Sequence, residues 1–106
     1  MAVRENNRII YQVHRYINLL KEHKINIWRI YLYGSYAKNT PRKDSDIDLA
    51  IFLAKDKLDG FEEDATMMKL RRAVDTRIEP HVFARSDFTE DNPYIRQIIT
   101  TGKRII

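Results

Sequence analysis

Asp46 and Asp48 flank one isoleucine at the head of an otherwise apolar run, Asp46-Ile47-Asp48-Leu49-Ala50-Ile51-Phe52-Leu53. Read as a strand, the run has a side-chain period of two. Both carboxylates then share a face, their Cα atoms about 6.8 Å apart. Two acids on one face repel each other and are costly to bury. Their side chains can converge on a cation, and hard oxygen ligands in small number suit magnesium, which fills its shell from waters and phosphates. Nine aspartates in 106 residues give roughly 0.75 such pairs by chance, and a solvated strand face accounts for one equally well. Gly34-Ser35 upstream changes the balance. A glycine at a strand end lets the backbone approach a ligand closely. A serine opening a helix aims its hydroxyl and the free N–H groups of the first turn at an anion. Alone, Gly-Ser is a common loop-to-cap dipeptide. At one fixed offset before Asp-x-Asp, it is expected roughly 0.0006 times in a chain of this composition.

The elements that must position these residues are legible from periodicity. Residues 3 to 23 read as an amphipathic helix, with Ile9, Ile10, Val13, Ile17 and Leu20 at helical spacing. His14 and His23 in this stretch read as surface or packing residues. Arg29 to Tyr33 form a strand that Gly34 ends, and Ser35 opens a short helical turn to about Lys38. In the strand 46–53, Ile47, Leu49, Ile51 and Leu53 share one face, and Asp46, Asp48, Ala50 and Phe52 the other. Residues 61 to 75 read as a helix whose Met67, Leu70 and Val74 form one core stripe and Phe61, Ala65 and Met68 an adjacent one. Arg77 to Phe83 form a third strand. Pro80 cannot donate to a ladder, so this strand belongs at a sheet edge or carries a bulge. A last helix runs from Pro93 to Thr100 and stops at Gly102, leaving Lys103 to Ile106 for a small terminal strand. The order predicts an α/β (α+β) layer structure, a small mixed sheet with helices packed on one side.

Composition sets the outer bounds. A mass of 12.7 kDa is expected to form one domain over residues 1–106. At this size about two-thirds of the chain surface can be buried, enough for one core. Lys and Arg number 19 against 15 Asp and Glu, a net charge of +4 that favours encounters with anions. The acids interspersed among the bases leave no clear basic stripe, so nucleic acid is not the expected partner. The absence of cysteine excludes disulfide scaffolds, thiolate zinc sites and cysteine nucleophiles. The start, Met-Ala-Val-Arg-Glu, shows no signal-peptide pattern, and the longest apolar run, Leu49 to Ala54, is far short of a membrane span. A cytoplasmic location is the expectation.

The stretch Gly34-Ser35-Tyr36-Ala37-Lys38-Asn39-Thr40-Pro41-Arg42-Lys43-Asp44-Ser45-Asp46-Ile47-Asp48-Leu49 resembles the signature of the minimal nucleotidyltransferases of the DNA polymerase beta-like superfamily. That signature is Gly-Ser, an Ala two residues on, then Ser-Asp-x-Asp-Leu at the same offset, matched here without a gap. Asn39 stands where the family often has Gly, and Asn tolerates a left-handed backbone better than most residues. The resemblance implies a third carboxylate on a neighbouring strand, for which Glu79 is the candidate as the only acid of the third strand. It further implies transfer of a nucleoside monophosphate, AMP from ATP, with two magnesium ions bridged by Asp46 and Asp48. Glu79 would complete the ion at the acceptor hydroxyl and help take its proton. Ser35 and the Gly34 backbone would hold the terminal phosphates. Lys38, Arg42 and Lys43 lie in the adjoining loop, where a role towards pyrophosphate competes with simple solvation. Tyr31, Tyr33 and Tyr36 are near enough to stack on a base, although strand packing is the simpler role for the first two.

The resemblance also implies an acceptor. Stand-alone minimal members resemble antitoxins encoded beside a HEPN-type toxin, to which they attach AMP, typically on a tyrosine hydroxyl. Two other readings compete. One is a non-catalytic module of the same fold that neutralises a partner by contact. The other is a catalytic subunit for a small-molecule acceptor.

Overall fold

The computed structural model describes residues 2–34, 46–58 and 61–106. Four strands make one sheet: β1 (Ile27–Tyr33), β2 (Ile47–Leu53), β3 (Ile78–Phe83) and β4 (Lys103–Arg104), in the order β3-β2-β1-β4. β1 runs antiparallel to both β2 and β4, and β2 runs parallel to β3, so the sheet is mixed as expected. β3 is an edge strand, which accommodates Pro80 because an edge position needs no donor on its outer side. β1 starts two residues earlier than its aliphatic core suggests, and its register with β2 shifts between Ile27 and Arg29.

Three helices flank the sheet: α1 (Ala2–Glu22), α2 (Phe61–Leu70) and α3 (Pro93–Thr101). The alternation read in β2 decides where they go. Ile47, Leu49, Ile51 and Leu53 face a core built with Ile9, Val13, Tyr16, Ile17 and Leu20 of α1 and Met67 of α2. The Tyr16 hydroxyl, buried with the rest, donates to the Met67 carbonyl at 2.7 Å and ties α1 to α2. Ala50 and Phe52 point the other way, into a second core with Tyr31, Ile95 and Ile98. Two helices therefore lie on one side, as the sequence indicates. The third, α3, covers the opposite side. Apolar alternation on both faces of β2 leaves two surfaces to bury, and one side of helices can bury only one.

The other departures are local. The helix expected over 61–75 ends at Leu70 and tightens into a 3₁₀ turn over Arg71–Ala73. Met67 is buried, whereas Met68 and Ala65 of the adjacent stripe are exposed. His14 and His23 are exposed. Asn92 caps α3 by accepting from the Tyr94 N–H at 2.9 Å, with Pro93 at the first helical position. At Gly102 a Cβ would lie 2.5 Å from the Ile98 carbonyl oxygen and 3.2 Å from that of Leu32. Only glycine lets the chain leave α3 this close to β1 and enter β4.

Candidate active site

Asp48 is the second residue of β2 and stands opposite a different strand on each side. Its partner on β1 is Tyr33 and its partner on β3 is Glu79. Residues in register on neighbouring strands share a face, so Asp48 and Glu79 are side by side on the face that α3 covers further along. Asp46 precedes β2 directly and is exposed. The structure thus brings the three predicted carboxylates to one corner of the sheet. Asp48 is half-buried, and burial pushes its carboxyl above the usual carboxylate range. The negative charges of Asp46 and Glu79 push it the same way, while His81 works against them. That pattern of mutual repulsion is what a bound cation relieves.

Gly34 follows β1 in the left-handed region, with φ +75°. A Cβ there would lie 2.5 Å from Oδ2 of Asp48. The group that lies against Gly34 in the structure is the carboxylate of Asp48. Ser35 and the helical turn expected after it lie outside the described residues, as do Tyr36, Lys38, Asn39, Arg42 and Lys43. Tyr31 is buried against Phe52 and Phe88 and is a core residue. The Tyr33 hydroxyl lies 2.9 Å from that of Tyr94 on α3. Burial, and then this hydrogen bond, hold the Tyr33 phenol well above its ordinary range, so it stays protonated. Tyr33, Gly34, Tyr94, Gln97 and Thr101 line a small cleft of about 140 Å³. A cleft of about 350 Å³ at the other end of the sheet, lined by His23, Asn26, Leu53, Lys55 and Glu62, contains none of the candidate residues.

Two neighbours of the carboxylates were not singled out in the sequence. His81 places Nε2 3.4 Å from Oδ1 of Asp48 and packs its ring 5.7 Å from that of Tyr33. Its position two residues after Glu79 is the signal that could have found it, because period two returns it to the same face. Arg71 donates from Nη1 to Oε1 of Glu79 at 2.9 Å and to the Ile78 carbonyl at 2.9 Å. No spacing rule reaches that pair, since it depends on how the 3₁₀ turn after α2 folds back on β3.

Among the described residues, no three His, Asp or Glu side chains are gathered as a ready metal cage. Glu79 is engaged by Arg71, and Asp48 by His81. In donor chemistry the carboxylates of Asp46, Asp48 and Glu79 are of the kind a hard divalent cation takes, and they come to one corner of the sheet.

The family described as polymerase beta, nucleotidyltransferase matches residues 15–106, and the chain belongs to it. It is 36% identical over 89 residues to the protein adenylyltransferase MntA of Shewanella oneidensis, covering 84% of this chain and 60% of that one. The chain therefore spans about three-fifths of the length of that curated relative. A crystal structure from Sulfolobus solfataricus, described as of a nucleotidyltransferase, shares the fold with a TM-score of 0.69 at 16% identity. It covers 97% of this chain and 84% of its own. A chain in the crystal structure of a toxin–antitoxin with AMP-PNP aligns with a TM-score of 0.63 at 27% identity, over 92% of this chain and 72% of that one. No helix among the described residues is long and apolar enough to cross a membrane.

Proposed function

We propose that this chain is a magnesium-dependent nucleotidyltransferase that moves AMP from ATP to a hydroxyl of a partner protein, acting as antitoxin to a HEPN-type toxin. The observation that carries the reading is the register of β2 and β3. It sets Asp48 beside Glu79, with Gly34 pressed against Asp48 from the end of β1. The adenylyltransferase relative supports the transferred group, and the toxin–antitoxin structure with AMP-PNP supports the setting.

The acceptor oxygen attacks the α-phosphorus, and pyrophosphate leaves. Bound magnesium, two ions in this reading, would neutralise charge on the attacking and leaving oxygens. Asp46 and Asp48 would supply the oxygens that hold it. Glu79 would complete the set at the acceptor hydroxyl and help its proton leave. The Gly34 backbone and the Ser35 hydroxyl hold the terminal phosphates. A groove along β3, lined by Asp64, Met68, Pro80, His81, Phe83 and Tyr94, lies beside this corner.

Glu79, one methylene longer than an aspartate at the same place, favours a second reading, in which the fold binds a partner without catalysis. One experiment separates the two. The protein and its Asp46→Asn, Asp48→Asn double variant are incubated with α-labelled ATP, magnesium and a lysate of the source organism. Label on a protein band with the wild type only is the expected result. Equal labelling by the double variant would overturn the carboxylate assignment. No label with either, while ATP still raises the melting temperature, would favour the contact-only reading.

A further inference from the structure

Glu79 differs from an aspartate at the same place by one methylene, and so by one more rotatable bond. A carboxylate that must meet an ion at a fixed point loses that freedom on binding, at a cost in affinity. The structure contains a device that removes the freedom in advance. Arg71 Nη1 forks between Oε1 of Glu79 and the carbonyl oxygen of Ile78, both at 2.9 Å. The second contact is to the backbone one residue before Glu79, so the guanidinium fixes the carboxylate relative to its own strand. Arg71 is itself held. Its side chain is only 20% exposed, and its carbonyl accepts from the N–H groups of Val74 and Asp75 at 3.0 and 2.8 Å. An exposed ion pair would contribute little. A two-point contact anchored on backbone and largely screened from water is a different matter.

We propose that Arg71 is the positioning residue of the third carboxylate: it holds Glu79 through Oε1 and leaves Oε2 available to a divalent cation. The inference rests on the metal-binding role proposed for Glu79. Residues that hydrogen-bond a metal-ligating carboxylate typically account for about 10–100-fold in metal affinity.

The test is direct binding, not turnover. Manganese is titrated calorimetrically into the full chain in the presence of a non-hydrolysable ATP analogue. Arg71→Met is expected to weaken binding about 10–100-fold, and Glu79→Gln to weaken it at least as much. The double variant is expected to bind no worse than Glu79→Gln alone, because Arg71 acts only through that carboxylate. Arg71→Gln keeps a donor for the Ile78 carbonyl and stands in if the Met variant does not fold, with the same loss expected. Wild-type affinity in the Arg71 variants, with Glu79→Gln weakened, would overturn this inference alone, as would additive losses in the double variant. Wild-type affinity in Glu79→Gln would overturn the metal role of Glu79, and the inference with it.

Discussion

Asp48 is half-buried where its charge is costly to the folded chain. Burial and the neighbouring Asp46 and Glu79 charges raise its carboxyl above the usual range, more than His81 lowers it. A carboxyl whose folded pKa is raised contributes stability in full below its unfolded pKa. The contribution is lost as pH rises through the folded value. Asp48→Asn removes that dependence. In metal-free buffer the variant is expected to melt with the wild type at about pH 3, below the usual carboxylate range, and above it at neutral pH. Melting curves across that interval check the point. A variant less stable than the wild type at neutral pH would mean that the contact with His81 outweighs the burial. Gly34 belongs to the same economy of space, since its missing side chain is what leaves room for Oδ2 of Asp48.

The elements that carry the acids are set by their connections. β3 is entered through a turn in which Asp75 accepts from the Arg77 N–H at 2.9 Å, with the Arg77 guanidinium at 2.8 Å from its other oxygen. An Asx turn of this kind fixes the backbone two residues on, and the strand that follows brings Glu79 level with Asp48. Hydrogen bonds from Arg77, chiefly that of its side chain, hold the Asp75 carboxyl below its usual range despite partial burial. A lowered pKa gives stability that is present above the unfolded value and lost as pH falls through the folded one. Asp75→Ala is therefore expected to cost roughly 1–2 kcal/mol at neutral pH. The deficit should shrink in acid to what the backbone hydrogen bond alone contributes. Urea unfolding at about pH 7 and about pH 2, well below the usual carboxylate range, measures it, and an undiminished deficit at low pH would reject the ionic cause.

At the scale of the molecule, the sheet is a shared floor for two cores, and the site opens where the floor reaches the surface. Phe52 lies in the second core, stacked on Phe83 at 5.1 Å and meeting Phe88 edge-on at 5.1 Å. Ile51, one residue earlier, lies in the first. If α3 and its neighbours form a true layer, Phe52→Ala costs about 3–5 kcal/mol and Ile51→Ala a comparable 2–5. Chemical denaturation of the two variants compares the faces. A Phe52→Ala cost below about 1 kcal/mol would show that face to be loosely covered. The two-sided burial matters for the site because it fixes β2 from above and below. Asp48 then has little backbone freedom with which to evade Glu79.

Apart from Glu79, reached only through the family resemblance, the sequence by itself determined most of the elements, the facing of β2, an edge or a bulge for β3, and Asp46 and Asp48 as a pair on one face. Each follows from a short-range rule: period two for Asp46 and Asp48, the missing donor of Pro80, glycine at a strand end. It also carried the family, because the Gly34–Leu49 stretch is contiguous. Only the tertiary structure decided that α3 takes the second face, since a helix's own stripe does not say which side of a sheet it will meet. Only the register of β2 on β3 could set Asp48 level with Glu79. Only the fold-back after α2 could bring Arg71, eight residues before Glu79, against its carboxylate. These are contacts between elements. Their geometry depends on how the elements pack, which no local pattern of residues encodes.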